Sequence, residues 1–237
     1  MSRDISIWGR GVDREQFNPG RRSMKWRRAN GMKDDEMVVA FLGRIVMEKG
    51  LDVFVGAINA AVERKVRHRV LVIGDGPARA WFEANLPAGT VFVGAQTGTD
   101  LAVALASADV FLNPSITEAF GNVTQEAMAC GLPIVATENT GAEEFIRNGV
   151  EGTILKAGDA DALFTALHEM QSERGRMRTM GEAAAVRSKA FSWDTYGERI
   201  AKIYNALVHP APNDAEHDRD EIANYYDDYW DREKGWT

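Results

Sequence analysis

The sequence VVAFLGRIVMEKGLDVFVGAINAAVERK, residues 38–65, contains two hydrophobic patterns in succession. Residues 38–43 are a short apolar run, which is typical of a strand buried on both faces of a sheet. From about residue 50 to residue 65, apolar side chains recur at the spacing of one helix face, namely Leu51, Phe54, Val55, Ile58 and Val62. The stretch therefore predicts a strand, a loop and a helix.

The same alternation continues along the chain. Further short apolar runs predict five more strands, at residues 69–74, 90–94, 108–113, 132–137 and 152–155. Longer amphipathic patterns predict helices near residues 98–107, 123–130, 141–147, 159–173, 176–190 and 195–207. Val/Ile/Leu strands that alternate with helices are typical of a parallel sheet with helices on both faces. We therefore predict an α/β fold, a doubly wound parallel sheet of the Rossmann-like type.

This pattern divides the chain into four parts. We expect an entry segment or linker over residues 1–36, the Rossmann-like domain over 37–170, and carboxyl-terminal helices over 171–209. Residues 210–237 form an acidic, aromatic tail, for which disorder and self-association are both open. The entry segment contains a basic cluster, RRSMKWRR at residues 21–28. It could be a patch for nucleic acid or anionic lipid, or a solvated helix start or linker.

Composition limits the class of protein. The 237 residues carry a net charge of −7, whereas nucleic-acid-binding domains normally have a basic surplus, so we expect no nucleic-acid partner. The single cysteine, Cys130, excludes an internal disulfide and is typical of a reducing compartment. No apolar stretch is long enough to span a membrane, and the amino terminus lacks the apolar core of a signal peptide. We expect a cytoplasmic protein, with peripheral contact with the inner membrane left open.

Ligands of doubly wound sheets bind at the carboxyl ends of the strands, where loops and helix amino termini meet. The first such loop, GRIVMEKG at residues 43–50, carries Arg44 and Lys49 beside a predicted helix start. Two cations there suit a phosphate or diphosphate, and Gly43 lets the backbone approach the ligand. The same residues could equally be surface charge around a turn. The second loop, GDGP from Gly74, either only ends a strand or lets a nucleotide lie close.

The third loop, SITEAFGNVTQEAMACG at residues 115–131, contains two glutamates eight positions apart. Glu118 falls in the loop, and Glu126 falls about one turn inside the predicted helix. Ionised carboxylates accept hydrogen bonds, so both suit the hydroxyls of a sugar or a ribose. A helix that begins with negative charge gives the same pattern without any ligand. These residues alone leave both interpretations open.

Other site chemistries find no support in the residue pattern. The four histidines show no paired metal spacing. The sequence has neither a GxxxxGK[ST] phosphate loop nor a GxSxG nucleophile elbow, and GDGP is not the GxGxxG dinucleotide fingerprint. We therefore expect no metal site and no nicotinamide cofactor.

In this order and spacing, the loops resemble the carboxyl-terminal half of a GT-B glycosyltransferase of family 4. The resemblance rests on GRIVMEKGLD, LVIGDGP, ASADVFLNPS and TEAFGNVTQEAMACGLPIVA, with IWGRGVDREQFNP as the entry to the domain. Within the family, the chain is most similar to bacterial mannosyltransferases and sulfolipid-synthase-like members. Membership implies transfer of a sugar from a nucleotide-diphosphate donor, with retention of anomeric configuration and without an essential metal.

The resemblance implies how the donor diphosphate and sugar are held. Arg44 and Lys49 would bind the diphosphate and stabilise its departure, since fixed cations favour the negative charge that grows on a leaving phosphate. Glu118, with backbone amides of residues 120–122, would bind the donor sugar and complete the catalytic set. Glu126 would accept hydrogen bonds from the ribose hydroxyls. The two acids are then binding groups, not the acid and nucleophile of a glycosidase.

The resemblance also implies the rest of the donor site and its partners. The donor would be a GDP- or UDP-linked sugar, with its base near the third strand. The implied donor-binding residues are Gly43, Arg44, Lys49, Gly74, Val93, Gly94, Glu118, Ala119, Phe120, Gly121, Asn122, Val123 and Glu126. Only about 36 residues precede the first strand, so we expect the amino-terminal acceptor domain of a GT-B enzyme to be absent or supplied by a partner chain. A non-catalytic nucleotide-sugar binding module, or an inactive fragment, is the alternative.

Overall fold

The computed structural model describes residues 11–115, 121–138, 141–191 and 193–208. The chain divides into two units, one made of residues 10–193 and the other of residues 1–9 with 194–237. Of the second unit, the structure describes most of one helix, α9, which runs over Trp193–Val208. All the features below belong to the first unit.

Six parallel strands form one sheet: β1 Met37–Leu42, β2 His68–Ile73, β3 Val91–Phe92, β4 Val110–Asn113, β5 Ile134–Thr137 and β6 Gly152–Leu155. Their order across the sheet is β3-β2-β1-β4-β5-β6. All the strand pairs are parallel, and β1 pairs with β2 along its whole length, from Met37 opposite His68 to Leu42 opposite Ile73. The direction of winding reverses between β1 and β4, which is where open α/β sheets bind ligands.

Eight helices belong to the described part of the first unit. They are α1 Met24–Ala29, α2 Leu51–Glu63, α3 Arg79–Asn85, α4 Gly98–Ala106, α5 Asn122–Ala129, α6 Ala142–Phe145, α7 Ala160–Ser172 and α8 Arg174–Arg187. Strands β1, β4 and β5 are almost completely buried, as their continuous apolar sequences predict. The predicted α/β fold, a doubly wound Rossmann-like sheet, is confirmed.

The core lies between the sheet and the helices that cover it. Phe41 of β1, Phe54 of α2 and Phe82 of α3 are almost fully buried. Their rings contact one another edge to face, with centroids 5.4 to 5.6 Å apart, which is a favoured geometry for aromatic pairs. This cluster fixes α2 and α3 against the strands whose loops form the candidate site.

Two helices were not predicted from apolar periodicity, although a helix start was one of the alternatives for residues 21–28. α3 has only seven residues and follows the GDGP turn, so its apolar side chains are too few to show helical periodicity. α1 has six residues and begins at Ser23, whose side chain accepts a hydrogen bond from the backbone N–H of Trp26. Short helices of this kind depend on capping and tertiary contacts more than on a repeating apolar pattern.

The basic cluster 21–28 anchors the entry segment to the sheet. The side chain of Arg27 is fully buried, and its guanidinium donates to the carbonyls of Ser107 and Glu36 and to the carboxylate of Asp109. Arg22 also pairs with Asp109, at 2.6 Å. The predicted helix start is confirmed, but its interpretation as a solvated segment is wrong for Arg27, because the bonds to the residues before β1 and β4 draw that side chain inside.

Candidate functional site

Glycines join the loops at the carboxyl ends of the first three strands. A side chain on Gly74, after β2, would overlap the carbonyl oxygen of Gly43, after β1, and a side chain on Gly76 would overlap the backbone of Ile45. Gly74 also has a φ of 144°, which L side chains rarely adopt. The proximity of Gly43 and Gly74 is therefore a backbone-to-backbone contact that only glycine permits.

Hydrogen bonds hold these loops in register. The N–H of Ile45 donates to the carbonyl of Asp75 at 2.9 Å, and the N–H of Gly74 donates to the carbonyl of Gly94 at 2.8 Å. Each bond joins one loop to the next. The loops after β1, β2 and β3, at residues 43–50, 74–78 and 93–97, thus lie side by side along the sheet edge. We call these three loops the platform.

A fourth glycine connects the platform to β4. Gly50 ends the first loop in the left-handed conformation, with φ 67°, and a side chain there would overlap the carbonyl oxygen of Pro114. The backbone beside Lys49 therefore lies against the end of β4, two residues before the segment that contains Glu118. The structure thus brings the end of the first loop to the end of β4, from which the third loop starts.

The two predicted cations of the first loop have different surroundings. The side chain of Arg44 is 71% exposed, and its nearest described carboxylate is Glu48, at 3.9 Å. Lys49 is half-buried at the end of a 3-10 turn over Met47–Lys49. Because α2 begins directly after Gly50, its amino-terminal dipole adds to the positive potential of both side chains. The loop therefore presents positive charge at the edge where β1 meets β4.

The third loop is described only in part. Glu118, Ala119 and Phe120 lie outside the described residues. The described part starts at Gly121, which precedes α5 in the left-handed conformation with φ 59°. A side chain there would lie 2.7 Å from the ring of Phe145, so this residue too must be glycine. Asn122 and Val123 follow in the first turn of α5 and are half-buried.

Glu126 lies one turn further along α5 and is partly buried. Burial raises the pKa of its carboxyl group from 4.5 to about 7. This shift opposes the effect of the helix dipole, which favours ionisation near an amino terminus. A capping acid would be stabilised in its charged form, so the interpretation of Glu126 as a cap loses support. Shifted pKa values of this kind are frequent at functional sites and also occur at buried structural positions.

Cys130 is close to Glu126 in the structure. The two residues are four positions apart, so they share one face of the helix. The thiol of Cys130 is buried, and its sulfur lies 3.9 Å from the carbonyl oxygen of Ala102 in α4. Burial, with the nearby Glu126, raises the pKa of this thiol to about 12, which makes it an unreactive thiol. Glu126 therefore lies near Cys130, whose thiol contacts α4.

A polar cluster beneath the third loop was missed from the sequence. Asn113, Ser115 and Thr137 are buried at the ends of β4 and β5, and Thr124 is buried in α5. Asn113 donates to the hydroxyl of Thr124, at 3.4 Å, and the hydroxyl of Thr137 donates to the carbonyl of Ser115, at 2.6 Å. The cluster connects the described ends of both strands to α5. The sequence does contain a signal for this cluster, because Asn113 and Thr137 each end an apolar run.

The loop after β3 places Val93 and Gly94 at the other end of the platform. Gly94 has φ 73°, and a side chain there would meet nothing within 4 Å, so the space above it is open. The amide nitrogen of Gln96 donates to the carbonyl of Val93 at 2.5 Å. Gln96 was not among the predicted site residues, because an isolated glutamine in a loop has no sequence signature.

A separate cleft of about 430 Å³ lies at the opposite edge of the sheet, beside the start of β2. Its lining includes Arg67 and Arg69, but these pair with Asp35 and Glu36. It therefore offers less net positive charge than its sequence suggests. Among the described residues there is no cluster of His, Cys, Asp or Glu that could hold a metal ion. In the same part of the chain, every helix is too short or too polar to cross a membrane.

Known proteins are similar in sequence to the region that contains the candidate site. Residues 36–173, more than half of the chain, match the family model "Glycosyl transferases group 1". The chain is 34% identical over 213 residues to the sulfoquinovosyl transferase SQD2 of Arabidopsis thaliana. It is 30% identical over 205 residues to a GDP-mannose-dependent alpha-mannosyltransferase of Corynebacterium glutamicum. Each alignment covers 86% of this chain.

A solved structure extends the likeness to the fold. Sucrose-phosphate synthase from Thermosynechococcus elongatus superposes with a TM-score of 0.74 and 27% identity, covering 87% of this chain and 53% of that one. The chain spans 40% and 48% of the lengths of the Arabidopsis and Corynebacterium relatives, respectively. The family match contains all four loops that the glycines join, and the chain belongs to the group 1 glycosyl transferases, in agreement with its resemblance to the donor half of a GT-B enzyme of family 4.

Proposed function

We propose that this chain is the donor-binding half of a retaining glycosyltransferase. It would transfer a hexosyl group, with mannose from GDP-mannose as the first candidate, to a lipid or polysaccharide acceptor. The observation that carries the proposal is the contact of Gly50 with Pro114, which sets Lys49 of the first loop beside the end of β4. Positive charge and the start of the sugar-binding segment are thereby adjacent, as transfer from a diphosphate donor requires.

The proposal gives each of these groups a role in the transfer. As the bond between sugar and diphosphate breaks, negative charge grows on the leaving phosphate, and Arg44 and Lys49 stabilise that charge. Glu118 and the amides that open α5 hold the sugar, and Glu126 accepts hydrogen bonds from the ribose. No metal is needed for this charge stabilisation, because the two side chains and the dipole of α2 supply positive charge.

Transfer itself would need a second half. The Arabidopsis and Corynebacterium relatives are more than twice as long as the segments that this chain matches. An acceptor domain, on the same polypeptide or on a partner chain, would close over the donor and exclude water. A lipid acceptor would bring this cytoplasmic enzyme to the inner membrane as a peripheral protein. The name of the Corynebacterium relative supports GDP-mannose, and calorimetry can compare it with UDP-glucose.

The first test is binding of the two nucleotide sugars to the full chain and to the Lys49→Ala variant. We expect one of them to bind, and Lys49→Ala to weaken it about tenfold or more, because one charge-assisted contact to the diphosphate is lost. Lys25→Ala is the matched control, since Lys25 is exposed on α1, away from the platform. Absence of binding to both donors, or equal affinity of the two variants, would refute the donor site. Binding without transfer, even with an acceptor half present, would favour a non-catalytic binding module.

A further inference from the structure

The cleft at the opposite edge of the sheet has the size of a ligand site. Its volume is about 430 Å³, and small-molecule sites in proteins have volumes of roughly 300 to 1,000 Å³. The end of α2, the start of β2 and the turn at residues 87–90 before β3 line it. The platform lies at the other ends of these strands, so the proposed function gives this cleft no role.

The lining of the cleft is basic. Four of its lining residues are Lys65, Arg67, His68 and Arg69, and among the described residues no Asp or Glu lines it. Arg67 pairs with Asp35 at 2.6 Å. Arg69 pairs with Glu36 at 3.3 Å. Lys65 has no carboxylate within 4 Å in the part of the chain that the structure describes, so its ammonium group is an unpaired positive charge at the cleft.

The backbone at Lys65 has a conformation that is unusual for lysine. Its φ is 57°, and it is the only residue other than glycine with positive φ in the described ranges of the chain. α2 ends here in a Schellman motif, in which the N–H of Lys65 donates to the carbonyl of Val62 at 3.0 Å. Such a motif normally has glycine at this position. Strain of this kind is frequent where a ligand binds, so the lysine is a candidate for such a role.

The side chain of Arg69 is fixed at the cleft. Its Nη1 donates to the carbonyl of Gly89 at 2.8 Å, and its Nε and Nη2 donate to the carboxylate of Glu36. Gly89 has a φ of 87°, and a side chain there would overlap Nη1 of Arg69, so only glycine leaves room for this contact. A guanidinium has five N–H groups, so two remain for a ligand after these three bonds.

Apolar side chains complete the walls of the cleft. They are Val62, Val66, Val70, Pro87 and Ala88. Val62 is 46% exposed, although it belongs to a helix whose other large apolar side chains are mostly buried. Apolar walls beside an unpaired ammonium group and a fixed guanidinium suit an anion that carries an apolar body.

We propose that this cleft binds a phosphate monoester with a small apolar body, at a site separate from the donor site. A phosphate group carries up to two negative charges and three acceptor oxygens, so it can accept hydrogen bonds from Lys65, Arg67 and Arg69 together. A carboxylate has two oxygens and one charge, which leaves part of this donor set unused. The apolar body of the ligand then replaces water against the apolar walls.

The test is an NMR titration, in which amide chemical shifts locate the ligand and give its affinity. Phenyl phosphate, methyl phosphate and benzoate are added to the parent chain and to the variants Lys65→Gly, Lys49→Ala and Lys25→Ala. We expect phenyl phosphate to shift residues 65–70 and 87–90 of the parent, and to bind about tenfold more tightly than the other two ligands. Lys65→Gly should weaken it about tenfold or more, because a charge-assisted contact is lost. The other two variants should change its affinity less than about twofold, since neither residue lines the cleft.

Lys65→Gly also tests the strain at this position. Glycine readily adopts a φ of 57°, so we expect the melting temperature to rise by about 2 to 4 °C while the affinity for phenyl phosphate falls. Opposite changes in stability and binding distinguish a lost ligand contact from a damaged fold. A melting temperature below that of the parent would contradict the strain on which the inference depends.

Every other binding result overturns the inference. Shifts confined to the platform, with affinity lost in Lys49→Ala, would place the phosphate in the donor site. Equal losses in Lys65→Gly and Lys25→Ala would indicate general attraction to surface cations, and equally tight binding of methyl phosphate or benzoate would contradict the ligand class. No shift at about 10 mM phenyl phosphate would exclude the site. Nucleotide-sugar binding tests the proposed function separately, and its outcome does not depend on the cleft.

Discussion

Glu126 is a carboxylic acid whose surroundings penalise its charge. Burial raises its pKa from 4.5 to about 7, which corresponds to about 3 kcal/mol between the two protonation states. Ribose hydroxyls that donate to the ionised form would offset part of this penalty. The protein thus gives up stability at neutral pH at a position where a ligand could restore it.

The Glu126→Gln substitution tests this at the residue scale. Between pH 4.5 and 7 the folded chain keeps the Glu126 proton and the unfolded chain has lost it, so the stabilising contribution of this group falls as the pH rises and is gone above pH 7. The amide of a glutamine cannot ionise, so we expect the variant to gain up to about 3 kcal/mol over the parent at pH 8 and almost nothing at pH 4.5. Urea unfolding at both pH values measures the difference. A difference that does not change with pH would contradict the burial of this acid.

In the platform, neighbouring loops contact each other through backbone atoms, with no side chain between them. Gly50 and Gly74 each touch a neighbouring backbone, and both have positive φ. A β-carbon at either position would push the loops apart and strain the backbone. The sequence shows these residues only as turn glycines, because the neighbours that exclude a side chain come from other strands.

At the element scale, Gly50→Ala should both destabilise the chain and weaken donor binding. The added carbon overlaps the carbonyl of Pro114, and alanine disfavours a φ of 67°. We expect a loss of about 2 kcal/mol or more in unfolding free energy, together with at least tenfold weaker nucleotide-sugar binding in calorimetry. Gly175→Ala is the matched control, because its new carbon meets nothing within 4 Å in α8 and should stabilise that helix slightly. Equal effects of the two substitutions would contradict the docking role of Gly50.

The described part of the entry segment, residues 11–36, is part of the folded unit, although its sequence looks like a charged linker. Arg27 connects it to the residues that precede β1 and β4, at the edge of the sheet opposite the candidate site. Removing a buried guanidinium leaves Asp109 and several carbonyls without these donors. The stability of the whole unit therefore depends on Arg27, which lies far from the candidate site.

At the scale of the whole molecule, Arg27→Met should reduce the unfolding free energy by about 3 to 5 kcal/mol without moving the donor site. Arg28→Met is the control, since Arg28 pairs with Asp34 on the exposed surface and should matter little. Urea unfolding measures the first effect, and nucleotide-sugar affinity at low temperature measures the second. Equal stability of the two variants would show that the buried network does not hold the entry segment.

Much of the fold and of the site could be predicted because the responsible signals are local. Strands such as β1 and β5 have continuous apolar sequences, so their bounds differ by only one or two residues from those predicted. Parallel strands place their loops at one edge, which predicted that Lys49 and the third loop would meet. α3 was missed because it has too few apolar side chains to show a period, and the burial of Arg27 was missed because it depends on contacts with distant parts of the chain.

The sequence by itself determined the strand and helix alternation, the chemical types in the three loops and the family resemblance, because these lie in short runs of residues. Only the tertiary structure decided which glycines must be glycine, that burial raises the pKa of Glu126 to about 7, and that the side chain of Gln96 is bonded to the carbonyl of Val93. The physical reason is the same in each case. Steric exclusion, desolvation and a hydrogen bond to another part of the loop all depend on neighbours in space, and those neighbours exist only once the chain is folded.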